Sequence, residues 1–240
     1  MHSTIHPGEA KASAPAAESA GAERFLLTSC LALMTLAVSL RNFDDPLLHA
    51  VYRLTHAENA AVWRGVSLLG SGLTLTPVMA AVALSLVWRG RNLSALALAL
   101  GWAATSLTVE YLKWLLDRSR PPVTPWSFAR GNAFPSGHAA QAAYVYLSLA
   151  LGFPGFIFPA APGRRVLRIY LGKAKWVAFL VLPAAVGYSR VALGVHWPSD
   201  VVVGWAVGLF FCALALVLRG TFPLREARVE SEEPDHSGES

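Results

Sequence analysis

Charge is what this sequence has least of. Only 15% of its 240 residues are Asp, Glu, Lys or Arg, against about 25% in an ordinary soluble domain. The deficit falls in long uncharged runs, and 54% of the chain is hydrophobic, with a mean hydropathy of +0.44. That excludes a water-soluble globule and makes a bilayer the expected solvent. Cysteine is nearly absent. Cys30 and Cys212 each lie inside an apolar run, which leaves no disulfide or zinc framework and reads as two buried thiols. Rossmann, Walker and EF-hand patterns are missing, as are short-period repeats. The net charge of +5 and pI near 9.5 do not signal nucleic acid. The cations stand in short clusters between apolar segments, where a membrane protein keeps its topology signals. A cleavable leader is not expected either, because the first apolar run starts only at Phe25 with no short basic region opening the chain.

What is present is an all-α pattern of six apolar spans. They run Phe25–Leu40, Val66–Trp88, Leu93–Leu112, from just after His138 to near Phe158, Trp176–Ser189, and Val201–Leu218. The first is short for a hydrocarbon core that needs about 20 residues, and snorkelling by Arg24 and Arg41 extends it. Residues 1–24 read as a disordered tail, 25–220 as the membrane domain and 221–240 as a polar tail. The segment 44–64 is amphipathic and too polar to span, so it is expected on the surface. Arg89 and Arg91, the run Arg164, Arg165, Arg168, Lys173 and Lys175, and Arg219, Arg225 and Arg228 all fall on one side if both termini are cytoplasmic. The positive-inside rule then sets that orientation.

Three polar clusters emerge on the opposite face. Lys113 to Pro121 follows the third span, Pro135-Ser136-Gly137-His138 precedes the fourth, and Ser189 to Asp200 joins the last two. Lys113, Arg120 and Arg190 supply cations that suit a phosphoryl group, Arg as a planar fork and Lys as a point charge. Ser136 and Gly137 stand where a helix begins, so free backbone N–H groups and the helix dipole favour an anion there. His196 and Asp200 are four apart at the mouth of the last span. The carboxylate is expected to reach one ring nitrogen, fix the tautomer and raise the basicity of the other. An oriented neutral imidazole is a nucleophile toward phosphorus, and His138 can protonate the departing oxygen.

Together these residues resemble the type-2 phosphatidic acid phosphatase superfamily of integral-membrane lipid phosphate phosphatases. Its signature reads K-x6-R-P, P-S-G-H and S-R-x5-H-x3-D. Here it stands as Lys113…Arg120-Pro121, Pro135-Ser136-Gly137-His138 and Ser189-Arg190…His196…Asp200, with each spacing intact and in order. The resemblance covers roughly residues 25–218. It implies metal-independent, cofactor-free hydrolysis of a lipid phosphate or diphosphate through a phosphohistidine. His196 would be the nucleophile, Asp200 its partner and His138 the general acid, with Lys113, Arg120, Ser136, Gly137 and Arg190 holding phosphate. Soluble haloperoxidases of the same superfamily are disfavoured by the six apolar spans.

The reading therefore is a six-span bundle in a bacterial inner membrane with its site on the periplasmic face. Its partners are a lipid phosphate and the bilayer, not nucleic acid. Undecaprenyl diphosphate or a glycerolipid phosphate fits best. The rivals are a lipid phosphotransferase sharing the covalent step, and a non-catalytic protein on the same fold. Other polar residues take plainer readings. Asp117 and Arg118 read as a solvated local pair, Glu110 as the partner of a nearby cation, and His49 and His56 as interfacial residues.

Overall fold

The computed structural model describes residues 24, 27–55, 57–151 and 165–221. The described residues form helices and connecting turns and contain no strand. A helix over residues 27–40 (α1) passes through a single 3-10 turn, Arg41–Phe43, into α2 (Asp44–Tyr52). Then come α3 (Ala57–Leu68), α4 (Gly72–Trp88), α5 (Asn92–Leu116), α6 (Gly137–Leu151), α7 (Arg165–Ala192) and α8 (Pro198–Thr221). Three described stretches are long and apolar enough to cross a membrane: Glu58–Trp88, Asn92–Leu116 and Pro198–Leu218.

Helix α8 is the hub. It packs on α5, α6 and α7, while α6 also touches α4, α5 and α7. Lipid tails are as apolar as leucine, so burial alone gives these helices little reason to associate; close packing must supply it. The sequence provides for this with Gly204 and Gly208 on α8 facing Ala139, Ala140 and Ala143 on α6. A Cβ at Gly204 would run into the Ser136 carbonyl, and one at Gly208 into the Ala140 carbonyl and Tyr144 N–H. Tyr144, fully buried, donates to the Leu98 carbonyl at 2.7 Å and ties α6 to α5. Trp205 Nε1 donates to the Pro183 carbonyl at 3.1 Å and ties α8 to α7. Overpacking a tight contact costs about 1–3 kcal/mol. Gly208→Val should therefore lower the melting temperature of the detergent-solubilised protein by several degrees. An unchanged melting curve would contradict this packing.

Several expected boundaries shift. The second span is interrupted: a turn at Leu69–Ser71 separates α3 from α4, with the Ser71 hydroxyl accepting from Thr74 N–H at 3.2 Å. Helix α5 runs one turn past Leu112, so Lys113 lies within it, and α6 starts before His138 rather than after it. Helix α7 spans 28 residues instead of the fourteen around Trp176–Ser189, so Arg165, Arg168, Lys173 and Lys175 are helical and not in a loop. Hydropathy fades where charge begins, but Lys and Arg are good helix formers and the backbone continues through them. The segment 44–64 does not simply lie on the surface. Asp44 and Leu48 of α2 are buried against α7 and α8 because that short helix plugs the end of the bundle. Cys212 is buried as expected, whereas Cys30 is only half-buried. The end of the fourth span near Phe158, His56, Arg164 and the tails 1–23 and 222–240 lie outside the described residues.

Candidate active site

Two local devices fold the polar clusters inward at one end of the bundle. Helix α7 ends in a Schellman-type closure. Val195 N–H donates to the Arg190 carbonyl at 3.2 Å and Gly194 N–H to Val191 at 2.9 Å, with Gly194 at φ +69°. That left-handed turn favours glycine, and a Cβ there would also press on Val123 and Tyr52. It brings the chain back over the helix end and presents His196. Helix α5 ends on Asp117 at φ 41°, whose N–H returns to the Lys113 carbonyl. That turn aims Arg118 into the bundle.

The connection from Asp117 to Ser136 is then laced to both sides. Asn132 Nδ2 donates to the Lys113 carbonyl at 2.9 Å and Ala133 N–H to Arg118 at 2.8 Å. Trp126 N–H donates to Leu193, and Ser136 N–H to the Asp200 carbonyl, both at 3.0 Å. Trp197 Nε1 donates to the Ser119 carbonyl at 3.0 Å. The three motifs, separate in sequence, form one hydrogen-bonded unit.

Within it His196 is only 3% exposed. Its Nδ1 lies 2.7 Å from the Ala133 carbonyl and 3.6 Å from Asp200 Oδ2. Asp200 faces the ring nitrogen as expected, and the structure adds a nearer partner, the Ala133 backbone carbonyl, which fixes the tautomer directly. A carbonyl can only accept, so Nδ1 carries the proton and Nε2 keeps a free lone pair. Burial pushes the imidazole pKa down to about 4, opposed by Asp200 and reinforced by Arg190 and Arg120. The ring is therefore neutral near pH 7. His138, in the first turn of α6, lies within electrostatic range of Lys113, Arg120, Arg190 and His196.

The expected phosphate ligands divide into two kinds. Arg190 is 4% exposed; one Nη1 hydrogen bond goes to Ser67 Oγ of α3 at 2.6 Å, and its buried Nε has no partner among the described residues. The fully buried Ser136 hydroxyl has none among them either. A buried unsatisfied donor costs about 1–3 kcal/mol; among the described residues Thr55 Oγ1 and Trp126 Nε1 share this state, but Arg190 Nε and Ser136 Oγ are the two that belong to the motifs, where a ligand's acceptors would satisfy them. Lys113 Nζ holds Glu110 at 2.8 Å, as expected for that carboxylate. A Cβ on Gly137 would sit 3.8 Å from the same ammonium, so the bare backbone keeps the space beside it open. Arg120 differs. It donates to the carbonyls of Gly131 at 2.9 Å, Arg130 at 2.7 Å and Val195 at 2.5 Å. It clasps the loop to the His196 turn, and its charge rather than a free fork reaches the site.

Arg118 is not a solvated pair with Asp117. It reaches Asp200 Oδ1 at 2.5 Å and Asp44 Oδ2 at 2.6 Å, and stacks 5.3 Å from the centre of the Trp197 ring. Asp117 stays exposed. No local spacing signals these contacts, whose partners are 82 and 74 residues away. His49 pairs loosely with Asp45 at 3.5 Å on the surface.

The family model of the PAP2 superfamily matches residues 94–223, which include all three motifs. The chain belongs to the PAP2 superfamily. Phosphatidylglycerophosphatase B of Bacillus subtilis is 28% identical over 188 residues, covering 77% of this chain and 86% of that protein. The undecaprenyl-diphosphatase of Sulfolobus acidocaldarius is 30% identical over 94 residues, 39% of this chain and 37% of that one. Among solved structures, a transmembrane PAP2-type phosphatidylglycerolphosphate phosphatase from Bacillus subtilis superposes with a TM-score of 0.70 at 24% identity. The match covers 82% of this chain and 96% of that chain. That likeness is one of fold. This PAP2 member is a multi-pass membrane protein, and the buried imidazole and unsatisfied donors lie inside the matched region.

Proposed function

We propose that this protein is an integral-membrane phosphatase that hydrolyses the phosphate or diphosphate head of a lipid through a phosphohistidine on His196. The observation that carries the reading is a neutral, buried imidazole held through Nδ1, at the same end of the bundle as the partnerless donors Arg190 Nε and Ser136 Oγ.

In the first step Nε2 attacks phosphorus, a P–N bond forms and the P–O bond to the lipid breaks. Burial and the surrounding cations hold the His138 imidazole below its usual range; the charge of a bound phosphate offsets those cations, so that His138 takes up a proton with the substrate and gives it to the departing oxygen. In the second step His138 takes a proton from water, the water oxygen attacks phosphorus, and the P–N bond breaks to release phosphate. Lys113, Ser136, Gly137 and Arg190 hold the equatorial oxygens, where charge is stabilised most in the transition state. Asp200 and Arg120 support the loop and the field around His196.

The reacting end lies in the outer leaflet of a bacterial inner membrane, on the periplasmic side, with residues 1–24 and 221–240 as cytoplasmic tails of a 25–220 domain. The lipid head meets the site while the tails stay in the bilayer. The names of the relatives point to glycerolipid phosphates and undecaprenyl diphosphate. A substrate panel tests the reading. Purified protein in detergent should release inorganic phosphate from at least one polyprenyl or glycerolipid phosphate. Transfer to a lipid or sugar acceptor without free phosphate would make it a phosphotransferase, and silence across the panel would contradict the proposal.

A further inference from the structure

Beyond the motif residues, the bundle end holds a buried ionic chain that none of the motif positions explains. Asp44, at the first position of α2 and 3% exposed, accepts three hydrogen bonds. They come from Ser199 N–H at 2.8 Å, Ser199 Oγ at 2.5 Å and Arg118 Nη2 at 2.6 Å. Arg118 Nη1 in turn donates to Asp200 Oδ1 at 2.5 Å and to Ser199 Oγ at 2.8 Å. The other oxygen of Asp200 accepts from Trp197 N–H at 2.9 Å and faces His196 Nδ1 at 3.6 Å. The fork of one guanidinium thus joins two carboxylates from opposite ends of the chain.

From this geometry we infer that Asp44 is a positioning residue for the hydrolytic reaction, acting through Arg118 on the Asp200–His196 pair; the inference rests on the phosphatase reading above. The physical case is that Asp200 stands 3.6 Å from the imidazole, a long contact whose length depends on where the carboxylate is held. Its place is set from behind. Arg118 alone would draw the Asp200 carboxylate toward itself and cancel its charge. Asp44 shares the guanidinium, so that the cluster Asp44–Arg118–Asp200 keeps one net negative charge behind the ring. Buried forks of this kind fix geometry only while every member is satisfied. Helix α2 is then more than a plug: it carries the carboxylate that balances the site.

The test measures lipid phosphate hydrolysis by the full chain in detergent, with kcat, KM and the pH profile determined separately. The groups around His196 that set its profile are Asp200 of α8, Arg190 of α7, His138 of α6, Lys113 of α5 and Arg120 of the loop, with Arg118 and Asp44 behind Asp200. Asp44→Asn should lower kcat about tenfold or more with KM within about threefold. It should also move the acid limb of kcat/KM to lower pH, because a negative charge that favours imidazolium is lost. Arg118→Lys keeps the charge but cannot fork to both carboxylates; it should lower kcat similarly and leave the acid limb in place. An Asp44→Asn kcat within twofold of the parent would overturn the inference, as would a kcat loss with the acid limb unmoved in a protein that melts normally. If Asp44→Asn does not fold, Arg118→Lys decides alone, and a kcat within twofold of the parent overturns the inference. An active parent beside a silent Asp44 variant effect rejects only this role. A parent inactive on every lipid phosphate rejects the phosphatase reading and this inference with it.

Discussion

His196→Ala is expected to reduce hydrolysis of a lipid phosphate by at least about 10⁴-fold, the scale of losing the attacking group in other covalent mechanisms. On the proposed mechanism the reaction depends on a lone pair at Nε2, which is left free because Nδ1 is committed to the Ala133 carbonyl. The loss converts to about 5.5 kcal/mol of barrier at 1.36 kcal/mol per decade. The variant should still fold. It leaves one buried carbonyl short of a donor, at a cost of about 1–3 kcal/mol, but the loop remains laced through Ser136–Asp200, Ala133–Arg118 and Trp126–Leu193. A normal melting curve with residual activity within a few-fold of the parent would remove His196 as nucleophile.

The second large effect belongs to Arg190. Its Nη1 is anchored on Ser67 while its buried Nε lacks a partner among the described residues. An arginine held on one side with an unspent donor on the other is pre-organised for an oxyanion. Losing one such donor costs about 10²–10³ in rate, or 2.7–4 kcal/mol. Arg190→Gln should fall in that range. Arg190→Lys should fall nearly as far, because an ammonium cannot keep the Ser67 contact and present a second fixed N–H. Lysine at full activity would show that only charge matters at this position.

Spacing within a motif is local, so Lys113, Arg120, Ser136, His138, Arg190, His196 and Asp200 could be selected by pattern, and alternation of spans placed them at one end of the bundle. Contacts across long stretches of chain leave no such trace. The Ala133 carbonyl that holds His196 is a backbone group 63 residues away, and any residue type would provide it. Arg118 sits beside Asp117 in sequence, which invites a local pair, but the left-handed turn at Asp117 sends the two side chains apart. Asp44 opens an amphipathic segment that reads as surface; its burial depends on α7 and α8 closing over it. Hydropathy starts the fifth span at Trp176 because charged residues precede it, whereas the helix begins at Arg165. Gly204 and Gly208 stand four apart, a spacing not singled out from the sequence, and their role against α6 emerges only from the fold.

The central claim is that a lipid phosphate is cleaved by transfer of its phosphoryl group to the imidazole of His196. Rapid acid-free quenching of the protein during turnover of a lipid labelled in its phosphate, followed by peptide mass spectrometry, tests this directly. The account predicts a base-stable, acid-labile phosphoryl group on the peptide containing His196 and none in His196→Ala. Label on a different residue, or steady turnover with no phosphoprotein under conditions that trap one, would contradict it.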